Sequence, residues 1–145
     1  MSALTFAEVP HGSAAYEATV TLRSDVLRTP LGLAFTPEEL AREHADHHLV
    51  GHDDGALVAC LVVTPLATGE AKVRQVAVAP DRQGQGVGAA LSRFAEDFAR
   101  QRGFRAITLH ARATAVGFYE RLGYQRTGEP FEEVTIPHWR MTKTL

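Results

Sequence analysis

The stretch with the most chemistry per residue is Arg82-Gln83-Gly84-Gln85-Gly86-Val87-Gly88. Glycines at alternate positions let a backbone turn tightly and bring its N–H groups against a ligand. A helical pattern follows directly, so these amides sit at a helix N-terminus, where the macrodipole favours negative charge. Such a loop holds a phosphate or pyrophosphate without any net positive charge on the protein, and Arg82 can add a charge-assisted contact. A bare glycine motif is about as often a plain turn joining strand to helix. Two nucleotide loops do not fit. A Walker loop needs Lys then Ser or Thr after its last glycine, where this chain has Ala89-Ala90. A dinucleotide fingerprint needs its third glycine one residue later and an acidic residue closing the next strand, which here closes on His110-Ala111-Arg112.

Other reactive side chains are set aside more easily. Glu43-His44-Ala45-Asp46-His47-His48 is rich in metal-capable groups, and His44 and His48 would make a ligand pair on a helix. No distant Cys or His cluster completes such a site, so no metal is expected. Cys60 lies inside the apolar run Leu57 to Val63 and reads as a buried small hydrophobe. Nothing nearby in sequence would activate it as a nucleophile.

These groups need a scaffold, and the chain alternates strand and helix patterns. Leu4 to Val9 reads as a first strand, and Ser13 opens a helical segment, Ala14 to Arg28, ended by Pro30. Thr36-Pro37-Glu38-Glu39 has an N-cap, Pro at N1 and Glu at N3, the signature of a capping box. His48 to Gly51 ends at the turn Asp53-Asp54-Gly55, Leu57 to Val63 suits a strand buried on both faces, and Lys72 to Val78 is half-exposed. A helix over Gly86 to Arg102 carries Val87, Leu91, Phe94, Ala95 and Phe98 on one stripe and stops at Gly103. Ala106 to Leu109 is a strand. Thr114 is placed to cap a short helix that Gly123 ends, and Tyr124 to Leu145 supplies two last strands. The order β-α-α-β-β-β-α-β-α-β-β implies an α/β fold with one mixed sheet.

Bulk properties narrow the classes. The 145 residues suit one domain with a continuous core, and 45% hydrophobic with 22% charged residues is ordinary for a globular protein. A formal charge of -2 argues against nucleic acid as the main partner, so an anionic ligand must be held locally. Met1-Ser2-Ala3-Leu4-Thr5 has no signal-peptide character, no apolar run would span a bilayer, and one cysteine fits a reducing compartment, so the expected location is cytoplasmic.

Gln83-Gly84-Gln85-Gly86-Val87-Gly88 resembles the Gln/Arg-x-x-Gly-x-Gly/Ala signature of the GNAT (GCN5-related N-acetyltransferase) superfamily. Arg74-Gln75-Val76-Ala77-Val78-Ala79-Pro80 is similar to its fourth strand, and Phe118-Tyr119-Glu120-Arg121-Leu122-Gly123-Tyr124 to its second CoA-binding segment. The pieces stand in the family's order, and the element order agrees from end to end. Leu22 to Leu27 and Phe131 to His138 resemble the ElaA-like branch.

The resemblance implies a single GNAT domain over residues 1–145, with a central mixed sheet of about seven strands flanked by helices. It implies direct acetyl transfer from acetyl-CoA to the amine of a small molecule or peptide, through a ternary complex and without a metal. Val76, Ala77 and Val78 would hold the pantetheine arm by backbone pairing, and Arg82, Gln83, Gly84, Gln85, Gly86, Val87 and Gly88 the pyrophosphate, with Phe118 and Arg121 as further cofactor contacts. A backbone N–H near Val76 or Ala77 would polarise the thioester.

Tyr119 matches the family tyrosine that faces the CoA sulfur and is read as general acid. By periodicity alone it is a core aromatic on the face of Ala115 and Leu122. Glu132, Glu133, His138 and His110 fall where the last strands border the acceptor cleft in the family, and His138 with Glu133 are the preferred candidate base. Arg23, Arg28, Arg74, His110 and Arg112 are candidate acceptor contacts, the arginines for an anionic group. The rival reading is a non-catalytic CoA sensor or interaction module. A longer acyl chain or an oxygen nucleophile is a second enzymatic variant. Neither nucleic acid nor membrane is expected as a partner, and dimerisation, common in the family, leaves a homodimer open.

Overall fold

Strand and helix boundaries follow the local signals closely. The computed structural model describes residues 3–145. Met1 and Ser2, the start of the segment read for a leader, lie outside the described residues. The elements are β1 (Leu4–Val9), α1 (Ala14–Arg23), α2 (Pro37–Arg42), β2 (His47–Asp53), β3 (Ala56–Pro65), β4 (Glu70–Val78), α3 (Val87–Gln101), β5 (Ala106–Arg112), α4 (Val116–Arg121), β6 (Gln125–Glu133) and β7 (Ile136–Thr144). The seven strands form one mixed sheet, in the order β1-β2-β3-β4-β5-β7-β6, and helices flank it. This is the α/β architecture that the alternating pattern implied.

The chain falls into two compact units. The first runs to Thr64 and resumes over Gln75–Ala95. In it β1 pairs antiparallel with β2, and β2 antiparallel with β3. Asp54 and Gly55, at φ 50 and 84, make the tight turn that joins β2 to β3. Ser13 caps α1 by accepting from the Tyr16 amide, and Thr36 and Glu39 close the expected capping box on α2. The segment read as one helix to Arg28 is α-helical only to Arg23. Ser24–Arg28 then widens into a π turn, and Thr29–Leu31, with Pro30, tightens into a 3-10 turn. Val50, Cys60 and Ala77 form one core cluster of this unit, packed by Val9, Leu22, Val26, Leu27 and Leu57.

The second unit comprises Pro65–Arg74 and Glu96–Leu145. β4 and β5 run parallel, from Glu70 opposite Ala106 to Val73 opposite Leu109. β5 and β7 are antiparallel, as are β6 and β7. Alternation divides the side chains of this sheet between two faces. Ile107, Leu109, Ala111 and Met141 are buried on one, where Lys143 also reaches Glu96 of α3 and the Leu122 carbonyl ending α4. The helices of this unit therefore cover that face. Gly103 and Gly123 stop α3 and α4 with φ of 83 and 96, as the sequence implied. Thr114 does not cap α4. It sits inside a 3-10 turn, Ala113–Ala115, and Ala115 takes the cap position with no side-chain bond.

Candidate active site

In the first unit the glycine loop forms a short exposed span between a 3-10 turn, Pro80–Arg82, and α3. Gly84 and Gly86 stand at φ 78 and 83, and a Cβ built at either meets nothing within 4 Å. The space their missing side chains leave is open, so the glycines serve backbone conformation and not packing. Gly88 is already helical, and the Ala90 amide donates to the Gly86 carbonyl at 3.0 Å, the first bond of α3. Amides before Ala90 are the unsatisfied donors of a fifteen-residue helix with no acidic residue in its first turn. Side chains brace the loop from behind: Gln83 Nε2 donates to the Val78 carbonyl and Gln85 Nε2 to the Asp81 carbonyl, both at 3.1 Å. Arg82 is ion-paired to Asp53, whose buried carboxylate also accepts the Ala3 amide at 3.0 Å. The Arg82 hydrogen bond to Asp53, with the carboxylate charges around it, raises the Arg82 guanidinium above its ordinary range.

Strand β4 carries a feature without a sequence signal. Gln75 has φ 58, a left-handed conformation unusual for a residue with a side chain, and its Oε1 is buried without a partner. The paired register of β4 with β5 stops at Val73. Beyond the break, Ala77 is buried while Val76 and Val78 are half-buried.

In the second unit one carboxylate draws two histidines together. His110 Nδ1 donates to Glu133 Oε1 at 3.0 Å, and His138 Nε2 lies 3.7 Å from Glu133 Oε2. The Phe131 ring meets His110 edge-on at 4.9 Å and stacks on His138 at 6.0 Å. The buried His138 bonds the Ile136 carbonyl through Nδ1 at 2.7 Å. A carbonyl only accepts, so Nδ1 carries the proton of the neutral ring and Nε2 presents the lone pair. Burial pushes the Glu133 carboxyl up, but the His110 hydrogen bond and the charges of His110, His138 and Lys72 pull it below the ordinary range. Glu133 thus stays ionised. Glu132 is exposed, stands opposite Pro137 and does not join the cluster.

Glu133 also begins a two-residue turn. Val134 and Thr135, at φ 52 and 62, join β6 to β7 by two left-handed residues. Such turns favour Asn-Gly, and two β-branched residues there are strained.

Tyr119 lies on α4, buried, with Phe118 at 5.0 Å and Tyr124 at 5.6 Å in edge-on ring contacts. Burial pushes its phenol up to about 12, so it is protonated across the physiological range. Phe118 is half-buried and Arg121 exposed on the same helix.

Residues 23–145 match the sequence profile described as "Acetyltransferase (GNAT) domain". The chain belongs to the GNAT acetyltransferase family. Protein YyaT of Bacillus subtilis (strain 168) is 28% identical over 118 residues, covering 77% of this chain and 74% of that one. An acyl-CoA N-acyltransferase of Pseudomonas aeruginosa superposes with a TM-score of 0.83 at 25% identity, over 97% of this chain and 99% of the other. A GNAT family acetyltransferase of Elizabethkingia anophelis, solved with acetyl-CoA bound, shares the fold at TM-score 0.76 and 16% identity, over 98% of both chains.

Within this GNAT domain the arginines read as acceptor contacts have different fates. Arg23 is fully buried, and its two terminal nitrogens hold both oxygens of Glu43 at 2.7 and 2.8 Å. Tyr16 donates to the same carboxylate at 2.7 Å, and His48 bonds the Glu43 backbone carbonyl at 2.9 Å. Arg23 has no surface to offer an acceptor, so that expectation is corrected. Arg28 lies 4.5 Å from the Phe35 ring and 3.8 Å from Glu39, which satisfies it locally. Arg74 and Arg112 remain half-buried on the second unit's strands. The His44 and His48 pair is not helical, and both rings bond backbone carbonyls. Cys60 is buried, and burial pushes its thiol up to about 12, which leaves it inert.

Asp53, Gln75, Lys72 and Arg140 escaped the sequence reading. Asp53 looked like a turn residue, and only the β2 register brings it to Arg82. An alternating exposed pattern was available for Lys72 and Arg140, but it carries no information about which charges lack partners.

Proposed function

We propose that this GNAT domain transfers an acetyl group from acetyl-CoA directly to an amine, with affiliation to the ElaA-like branch. The observation that carries the reading is the open, left-handed Gly84–Gly86 loop before α3, whose amides are built to accept a diphosphate. Gln83 to Gly88 bind that group through backbone N–H, and Arg82, braced by Asp53, adds charge. Val76 to Val78, past the left-handed Gln75, offer main-chain groups to an extended pantetheine arm. Phe118 and Arg121 are further cofactor contacts. Acetyl-CoA supplies the activated acyl group and a thiolate leaving group.

His138 Nε2 takes the proton from the acceptor amine, and Tyr119 gives one to the departing thiolate. A backbone N–H at Val76 or Ala77 polarises the carbonyl that is attacked. His138 is preferred to Glu133 as base because the Glu133 carboxylate is held below its ordinary range and is correspondingly weak. Glu133 is better suited to orient the two histidines. Thiol release from acetyl-CoA across a panel of amines tests the reading. Binding of CoA without release for every amine would instead support a non-catalytic sensor.

A further inference from the structure

Within the second unit, the face of the sheet opposite α3 and α4 gathers cationic side chains, in a chain whose formal charge is -2. Alternation along β4 puts Lys72 and Arg74 on it, along β5 Thr108, His110 and Arg112, and along β7 His138 and Arg140. The register sets Lys72 opposite Thr108, His110 opposite Arg140 and Arg112 opposite His138. Lys143, on the other parity of β7, points to α3 and α4, so the cationic residues lie on the side opposite those helices. Against the cations stand Glu133, already engaged by both histidines, and Glu70 at the far end of β4.

Several arginines elsewhere have carboxylate partners: Arg23 with Glu43, Arg28 with Glu39, Arg82 with Asp53, Arg100 with Asp97 and Arg126 with Glu120. Arg112 and Arg140 have no carboxylate partner among the described residues. Arg140 Nε donates to the Thr108 hydroxyl of β5 at 3.3 Å. Opposite Arg140, the Thr127 hydroxyl is buried and unpartnered. Burial pulls the Lys72 ammonium below its ordinary range, with Glu133 opposing and Arg74 reinforcing that shift. Gathering these cations costs free energy through mutual repulsion, which a bound anion relieves.

We propose that the acceptor carries an oxyanion, a carboxylate or a phosphate, besides the amine that is acetylated, and that Arg112 and Arg140 bind it on this face in the field of Lys72 and Arg74. The inference rests on the acetyl-transfer reading above and deepens it, since His138 borders the same face. A planar guanidinium pair favours a planar or tetrahedral oxyanion over a halide or a neutral polar group.

Matched acceptors separate the two sources. β-Alanine against propylamine tests the carboxylate, and O-phosphoethanolamine against ethanolamine the phosphate, each by thiol release from acetyl-CoA with the full chain. The anionic member of one pair should have kcat/KM at least about tenfold above its neutral twin, the scale of a lost charge-assisted bond. Arg112→Gln and Arg140→Gln should each collapse that ratio towards one. Equal rates within both pairs, or a preference indifferent to both substitutions, would overturn the inference. If no amine releases thiol, the acetyl-transfer reading has failed separately. Side-chain NMR then decides the anion site: the Arg112 and Arg140 Nε–H signals should move with β-alanine or O-phosphoethanolamine and not with propylamine. Signals that stay still would overturn it.

Discussion

Arg23–Glu43 in the first unit and His110–Glu133–His138 in the second are assembled from the same kinds of side chain, yet water treats them differently. Arg23 is fully buried, both Glu43 oxygens are taken, and Tyr16 and His48 close the remaining sides. Burial pushes the Glu43 carboxyl up, but the hydrogen bonds from Arg23 and Tyr16 and the Arg23 charge pull it net below its ordinary range. Every strong bond there is spent on holding α1 to the segment before β2. Glu133, by contrast, is 44% exposed, and its second oxygen sits at a looser 3.7 Å from His138. A buried network closed to water stabilises a fold, while one with an exposed carboxylate and a spare lone pair can move a proton.

The largest effect should come from cutting the sealed cluster. Glu43→Ala leaves the Arg23 charge buried and unpaired, and should cost about 3–5 kcal/mol in chemical denaturation. Glu133→Gln should cost less than about 1 kcal/mol in the same experiment, because Glu133 itself is 44% exposed to water. Equal losses would erase the distinction between the two regions. Next, Tyr119→Phe should lower kcat on the order of a hundredfold, the scale of a lost acid catalyst, with little change in acetyl-CoA affinity. An unaltered rate would remove Tyr119 from the mechanism.

Acid should reach the sealed cluster in two stages. His48 and Glu43 are both depressed in the folded state, the former chiefly by burial. Each therefore contributes stability that is complete above its unfolded value and is lost as pH falls through the folded one. The His48 loss starts near 6.5 and the Glu43 loss only near 4.5. Denaturation midpoints should fall across the first window in wild type and much less in His48→Asn. A slope that His48→Asn leaves intact would assign it to other groups. The smallest effect is expected at the strained turn beside Glu133: Val134→Asn with Thr135→Gly should stabilise by about 1 kcal/mol. A destabilised double variant would show that the turn's β-branched side chains contribute packing that outweighs their backbone cost.

The elements were legible because their signals are local. Val87, Leu91, Ala95 and Phe98 mark the buried stripe of α3, Gly103 and Gly123 mark helix ends, and Thr36 to Glu39 spell a cap, all within a few residues. The charged site was not legible to the same degree. Arg23 and Arg112 look alike in sequence, and only the pairing of Arg23 with Glu43, 20 residues on, separates the buried arginine from the half-buried one. Gln75 and Val134-Thr135 adopt left-handed backbone that their side chains disfavour, so tertiary structure imposes what propensity would not suggest. Thr114 offered a plausible cap that a preceding 3-10 turn made unnecessary.

The account stands most directly on the backbone amides around Gly84 and Gly86, and calorimetric titration of the folded protein with CoA tests them. The expected result is saturable binding at one site, weakened when Gly86→Val forces a β-branched side chain into left-handed backbone. A folded wild-type protein that takes up no CoA would contradict it.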